Sequence, residues 1–298
     1  MKYHTGTCSW AEKTLIESHE FYPPDIKNAE DRLKYYAARF DTVEVDSTYY
    51  AVPRRQNSLL WSSRTPFGFI FHIKAYGALT GHAIAPGTLP KELRAELPAK
   101  EKDAEQVTVK DPAILAAIGT AFAEALSPLK NAGKLGLLVF QFPPWFHFSV
   151  DNMNNILNRV QLVSGLPVAI EFRHGSWLMQ ERRDFVLKFL KDHKLTYVTV
   201  DEPQYGALET VPLVPAVTTD IAYFRLHGRN TESWLKKGIT TAERFAYRYS
   251  DNELDEIKSS VIKVADEAKE IFIMFNNHGS PGIQNAATMK GLLRSKSL

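Results

Sequence analysis

Residues 167–177, PVAIEFRHGSW, change character within a few positions. Val168, Ala169 and Ile170 form an apolar run suited to a buried strand, and Glu171, Phe172, Arg173 and His174 end it abruptly. Side chains alternate along a strand, so Glu171 and Arg173 are expected on the same side. A strand that is apolar at its start and ionic at its C-terminal end suits an α/β barrel, where the chemistry sits at the strand ends and in the loops that follow them.

The same polarity recurs along the chain. Segment 42–46 alternates Val43 and Val45 with Glu44 and Asp46, and 69–74 ends with His72 and Lys74 in phase. Segment 135–141 is apolar until Gln141, 196–201 ends in Asp201, and 221–227 carries Arg225 and His227 on one face ahead of Gly228 and Arg229. A first strand at 3–8 leads into Ser9 and Trp10, and an eighth at 271–275 runs into Asn276, Asn277 and His278. Helical spacing fits 29–39, 56–63, 113–126 behind Asp111-Pro112, 152–163 behind Asp151, 181–193, 252–268 and 285–293.

Strands alternating with helices predict a parallel sheet, and eight units favour a closed, TIM-like (β/α)8 barrel over an open sheet. The turn at 6–10 lacks the GxGxxG expected of an open dinucleotide-binding sheet. The reading is one domain over 1–298 with two irregularities. The stretch 75–110 is too long for an ordinary βα connection and is expected as an insertion over the barrel mouth, with a short helix at 91–96. The stretch 203–220 contains Pro203, Pro212 and Pro215 and has no helical pattern.

Charge narrows the partners. With 36 Lys and Arg against 34 Asp and Glu the net charge is +2, which gives no support to general nucleic-acid binding. Cys8 is the single cysteine, so an intrachain disulfide is impossible, and it reads as a small buried hydrophobe. The N-terminus lacks a signal-peptide core and no uninterrupted apolar run is long enough to span a membrane, so a cytoplasmic protein without membrane contact is expected.

Placed on one barrel face, the strand-end residues converge on a pocket. Lys74, Arg173, Arg225 and Arg229 suit a clamp for phosphate or carboxylate. The bland alternative pairs Arg173 with Glu171 or Asp201, and Arg225 with Glu44. Glu44, Glu171 and Asp201, with His227, supply candidate acids and bases. Gln141, Asn276, Asn277 and Trp177 complete the expected substrate contacts. A divalent metal on these carboxylates and a histidine ranks below the anion pocket, because no HxH or HExxH spacing occurs and cations compete for the same carboxylates. The leading reading is therefore an enzyme, a hydrolase, lyase or isomerase, acting on a small anionic substrate by acid–base chemistry. A metal-assisted hydrolase or isomerase, and a nucleotide or nucleic-acid binding module using 229–237, remain alternatives.

Several motifs carry a resemblance. GTCSW at 6–10, FYP at 21–23, YYAARFDTVEVDSTYY at 35–50, LGLLVFQFPP at 135–144, EFRHGSW at 171–177, YFRLHGR at 223–229 and FNNHGSPGIQNA at 275–286 resemble, in order, the YecE-like family, number seventy-two among the domains of unknown function. The resemblance implies a TIM-like barrel and no particular activity. Its motifs include Glu44, Gln141, Glu171, Arg173, Arg225, His227, Arg229, Asn276 and Asn277. A relative is expected to follow FHIKA with a Thr-His pair. Here 76–82 intervenes and the long insertion follows.

Overall fold

The computed structural model describes residues 2–206 and 208–294. Among these, eight strands run in parallel: β1 Lys2–Thr7, β2 Thr42–Val45, β3 Ile70–Lys74, β4 Leu135–Gln141, β5 Val168–Glu171, β6 Thr196–Asp201, β7 Ile221–Leu226 and β8 Glu270–Phe275. Their hydrogen-bonded order is β1-β8-β7-β6-β5-β4-β3-β2, a nearly closed (β/α)8 barrel.

The seam between β1 and β2 is bridged by one phenol. The α-helices before β3 are α1 Lys13–Ser18, α2 Ala29–Ala37 and α3 Arg55–Ser63. Tyr36, fully buried on α2, accepts from the Thr7 amide at 2.9 Å and donates to the Thr42 carbonyl at 3.2 Å. Gly6 lets these strands approach, since a Cβ there would lie 2.4 Å from the Thr42 carbonyl oxygen.

The remaining helices are α4 Lys91–Glu96, α5 Ala99–Lys102, α6 Pro112–Asn131, α7 Val150–Gln161, α8 Arg183–Asp192, α9 Thr241–Arg244, α10 Asp251–Lys263 and α11 Ser280–Arg294. Of the boundaries that differ from expectation, three have identifiable reasons. Helix α6 continues through Pro128 to Asn131 because Leu126 and Leu129 extend its buried stripe. By length and composition it is apolar enough to cross a membrane, but here Ile114, Ile118 and Phe122 are buried in the fold. Ser149, rather than Asp151, caps α7 by accepting from the Asn152 amide. Helix α11 starts at Ser280, five residues earlier than the spacing suggests, because Gly282 and Ala286 pack its first turns inward.

The insertion meets the strand-end rim through its first part, where the His82 ring packs against Tyr49 and Trp145. Its first turn, at 77–80, touches Tyr49 at the rim, while α4 leans against α6. Arg159 of α7 anchors it, donating to the Ala78 and Leu79 carbonyls, both at 3.1 Å. The 203–220 connection holds no helix among its described residues. It packs so close to the turn after β5 that a Cβ at Gly175 would lie 2.6 Å from the Thr210 carbonyl oxygen.

Candidate functional site

The barrel interior is polar toward its C-terminal end because β2, β5 and β7 each turn a charged side chain inward. Tyr223, Arg225 and His227 alternate along β7 and its end, so all three face the axis. Arg225 is fully buried. It donates from Nε to Glu44 Oε2 at 3.0 Å, from Nη2 to Glu44 Oε1 at 2.6 Å, and from Nη1 to Glu171 Oε2 at 2.6 Å. Tyr223 adds a third donor to Glu44, from its hydroxyl at 2.7 Å. The buried guanidinium is thus paired by two carboxylates, as a charge taken out of water must be.

Glu171 is the hub of the other half. Besides Arg225 it accepts from Gln141 Nε2 at 2.7 Å and from His227 Nε2 at 2.9 Å, with Arg173 Nη1 at 3.5 Å. Burial alone would raise its pKa, but Arg225 and then His227 hold the carboxyl well below the usual range. Burial pushes the His227 imidazole down to about 3 despite Glu171 beside it, so the ring is neutral at physiological pH. Burial also pushes Glu44 up to about 7, with Arg225 pulling it back and Asp46 raising it further. Two nearby carboxylates cannot both ionise cheaply.

The cavity lies beside this network. It measures about 300 Å³ and opens among the ends of β1, β2, β3 and β8. Glu12, Asp46, Lys74, Asn276, Asn277 and His278 are among its polar lining, and Cys8 lines it as well. The Lys74 ammonium lies 3.9 Å from Asp46 Oδ1, and Arg225 Nη2 lies 3.3 Å from the same oxygen on the buried side. Leu15, Phe245 and Ile283 make a facing apolar wall.

The expected residues other than Trp177 therefore separate into three groups. Lys74, Asn276 and Asn277 line the cavity. Glu44, Gln141, Glu171, Arg225 and His227 form the network against it. Asp201, Arg173 and Arg229 lie in other contacts. Arg229 Nε donates to both Asp201 oxygens, at 3.1 and 3.0 Å, and Nη1 reaches Glu256 on α10 at 2.7 Å. Tyr249 donates to Asp201 at 2.8 Å. Arg173 pairs with Glu202 at 3.1 Å. A four-cation clamp is thus not what the geometry presents: an anion reaching Arg225 would have to displace Glu44 or Glu171. Trp177, expected at the substrate, is instead fully buried, stacked on Phe172 and Phe146, with its indole donating to the Phe146 carbonyl. No residue of the 75–110 insertion lines this cavity among the described residues.

Three further side chains, Tyr223, Glu202 and Glu12, contribute to these contacts. Tyr223 was legible as the position two before Arg225 on the same face. Glu202 follows Asp201, and burial raises its carboxyl to about 7. Glu12 had no such signal. It caps α1, accepts from the Gly279 amide at 3.0 Å and faces His278 Nδ1 at 3.1 Å. Against opposing burial, His278 and Gly279 hold its carboxyl down to about 2.

Cys8 Sγ and carboxylate oxygens of Glu44 and Asp46 lie within 4.8 Å of one another, a donor set able to hold a divalent ion in principle. The Arg225 guanidinium already sits on all three, 3.6 Å from Cys8 Sγ, and supplies the positive charge there. Burial, followed by Glu44, raises the Cys8 thiol well above its ordinary value, which disfavours the thiolate a metal requires.

The model of a protein family described as "Protein of unknown function DUF72" matches residues 4–298. The chain belongs to the DUF72 family. A curated relative, the UPF0759 protein YunF of Bacillus subtilis strain 168, is 29% identical over 294 residues, covering 97% of this chain and 94% of that protein. Solved DUF72 structures are similar throughout. That from Thermotoga maritima MSB8 is 29% identical with a TM-score of 0.76, covering 99% of this chain and 100% of the other. That from Enterococcus faecalis V583 is 27% identical with a TM-score of 0.74, covering 98% of both. These DUF72 relatives agree with the barrel and assign no reaction to it.

Proposed function

We propose that this DUF72 protein is an enzyme that performs acid–base chemistry on a small anionic substrate, carboxylated or phosphorylated, bound in the cavity beside β1, β2, β3 and β8. The observation that carries this reading is the pairing of Lys74 and Asp46 on the cavity wall with Glu44 directly behind Asp46. Lys74 offers a cation to the substrate, since its partner Asp46 is shared with Arg225. Asp46 reaches the cavity as the proton-transferring group, and Glu44, pushed up to about 7, stores a proton against it. A carboxyl that titrates near neutrality suits general acid–base work. Glu171, Arg225 and His227 are positioning residues here, because each is buried and already hydrogen-bonded.

A thermal-shift screen of sugar phosphates, nucleotides and small carboxylates tests the reading, since a ligand of the folded state raises apparent stability. At least one anion is expected to raise the Tm of the wild type and to lose that effect in Lys74→Met. If every anion that stabilises the wild type stabilises Lys74→Met equally, the cavity is not the anion site.

A further inference from the structure

The hydrogen-bond network fixes which end of the Asn276 amide meets a ligand. Glu171 is ionised and can only accept, so the His227 Nε2 at 2.9 Å carries the proton. A neutral imidazole then has a bare Nδ1, which accepts from Asn276 Nδ2 at 2.9 Å. Asn276 lines the cavity with its Nδ2 committed to His227, so its free acceptor, Oδ1, belongs to the cavity side. The neighbouring Asn277 is 7% exposed, lines the same wall, and has Oδ1 buried without a hydrogen-bond donor. A buried acceptor left unmade is costly, and a ligand donor would relieve it.

The anionic end is constrained as well. Barrels often hold phosphate at a helix N-terminus near the last strands. In this chain the Glu12 carboxylate already accepts the Gly279 amide just ahead of α11, so that place holds a negative charge of the protein's own. With Asp46 also on the wall, a phosphate dianion meets two carboxylates and one lysine, whereas a single carboxylate matches Lys74. The two free acceptors on the β8 wall are neutral amides, which suit hydroxyl donors better than a charged ammonium. A cavity of about 300 Å³ is at the small end for ligand sites.

We propose that the cavity takes a small polyhydroxylated monocarboxylate, with its carboxylate on Lys74 and its hydroxyls donating to Asn276 Oδ1 and Asn277 Oδ1. This rests on the proposed role of Lys74 as the anion contact and narrows the substrate class. A site built to bond hydroxyls rejects an analogue that lacks them.

Calorimetric titration with gluconate, hexanoate, 6-aminohexanoate and glucose 6-phosphate separates the possibilities. Gluconate is expected to bind the wild type at least about tenfold more tightly than each of the others. In Asn277→Leu its advantage over hexanoate should shrink to about threefold or less, with hexanoate affinity unchanged. Asn277→Ala serves if that variant fails to fold. Lys74→Met should weaken gluconate and hexanoate alike. Equal binding of gluconate and hexanoate, preference for 6-aminohexanoate or glucose 6-phosphate, an unaltered preference in the Asn277 variants, or no binding by any probe overturns this inference. Where an anion still binds through Lys74, the broader enzyme reading survives that failure. Anion binding indifferent to Lys74 overturns both.

Discussion

Arg225 and Glu44 meet across the barrel interior through two hydrogen bonds, Nη2 to Oε1 at 2.6 Å and Nε to Oε2 at 3.0 Å, with both side chains fully buried. Burying such a pair is expensive, and good geometry with satisfied remaining atoms is what makes it tolerable. Arg225 meets that condition by also bonding Glu171, and Glu44 by accepting from Tyr223.

Removing the guanidinium should therefore cost far more than a lost surface ion pair. Arg225→Met leaves Glu44 and Glu171 facing each other in the barrel, and a loss of about 3–5 kcal/mol is expected. Urea unfolding checks this through the midpoint, provided the slope stays the same. A loss below about 1 kcal/mol would show that the pair is solvated.

Glu202 should impose a pH dependence of its own. Its carboxyl is raised from 4.5 to about 7 in the fold, chiefly by burial, so the folded state holds a proton that the unfolded chain releases earlier. That contribution is fully present below pH 4.5 and is lost as pH rises through about 7. Wild type compared with Glu202→Gln should therefore lose relative stability between these limits, on the order of 3 kcal/mol. Unfolding both proteins at several pH values reads the difference, which cancels groups such as Glu171 and His72 that shift the other way.

The imidazole of His227 should stay neutral. With its pKa lowered to about 3, mainly by burial, the ring is expected to show no titration between pH 5 and 8. Nitrogen NMR should find the proton on Nε2 and a bare Nδ1. A proton on Nδ1 would reverse the Asn276 amide and place Nδ2 on the cavity side.

Trp177 separates packing from binding. Trp177→Ala removes a fully buried indole stacked on Phe172 and Phe146, and a loss of about 3–5 kcal/mol is expected. Ligand affinity, measured where the variant remains folded, should be unchanged. A selective loss of affinity would return Trp177 to the substrate contacts.

Much of this was legible in local pattern. The apolar runs ending in Glu44, Lys74, Gln141, Glu171, Asp201 and Arg225 gave both the barrel and the face on which its polar residues gather, because side-chain alternation along a strand is a property of the backbone. The 3.6-residue spacing marks most of the longer helices but not the short α1, α5 and α9, nor the ends where capping by Ser149 or tertiary packing around Gly282 decides the boundary.

Pairing was a different matter. Arg225 stands 181 residues from Glu44 and 54 from Glu171 in the chain, and only barrel closure brings the three together. Whether a strand-end arginine holds a ligand or a carboxylate depends on which side chain projects from the strand across the interior, and spacing carries no record of that. For the same reason nothing local marks Glu12 for its place against Gly279, and the burial of Trp177 under Phe146 and Phe172 is set by the fold. The sequence by itself determined which residues face the barrel's polar end. Tertiary structure decided which of them neutralise one another, and so left Lys74, Asp46, Asn276 and Asn277 to face the cavity.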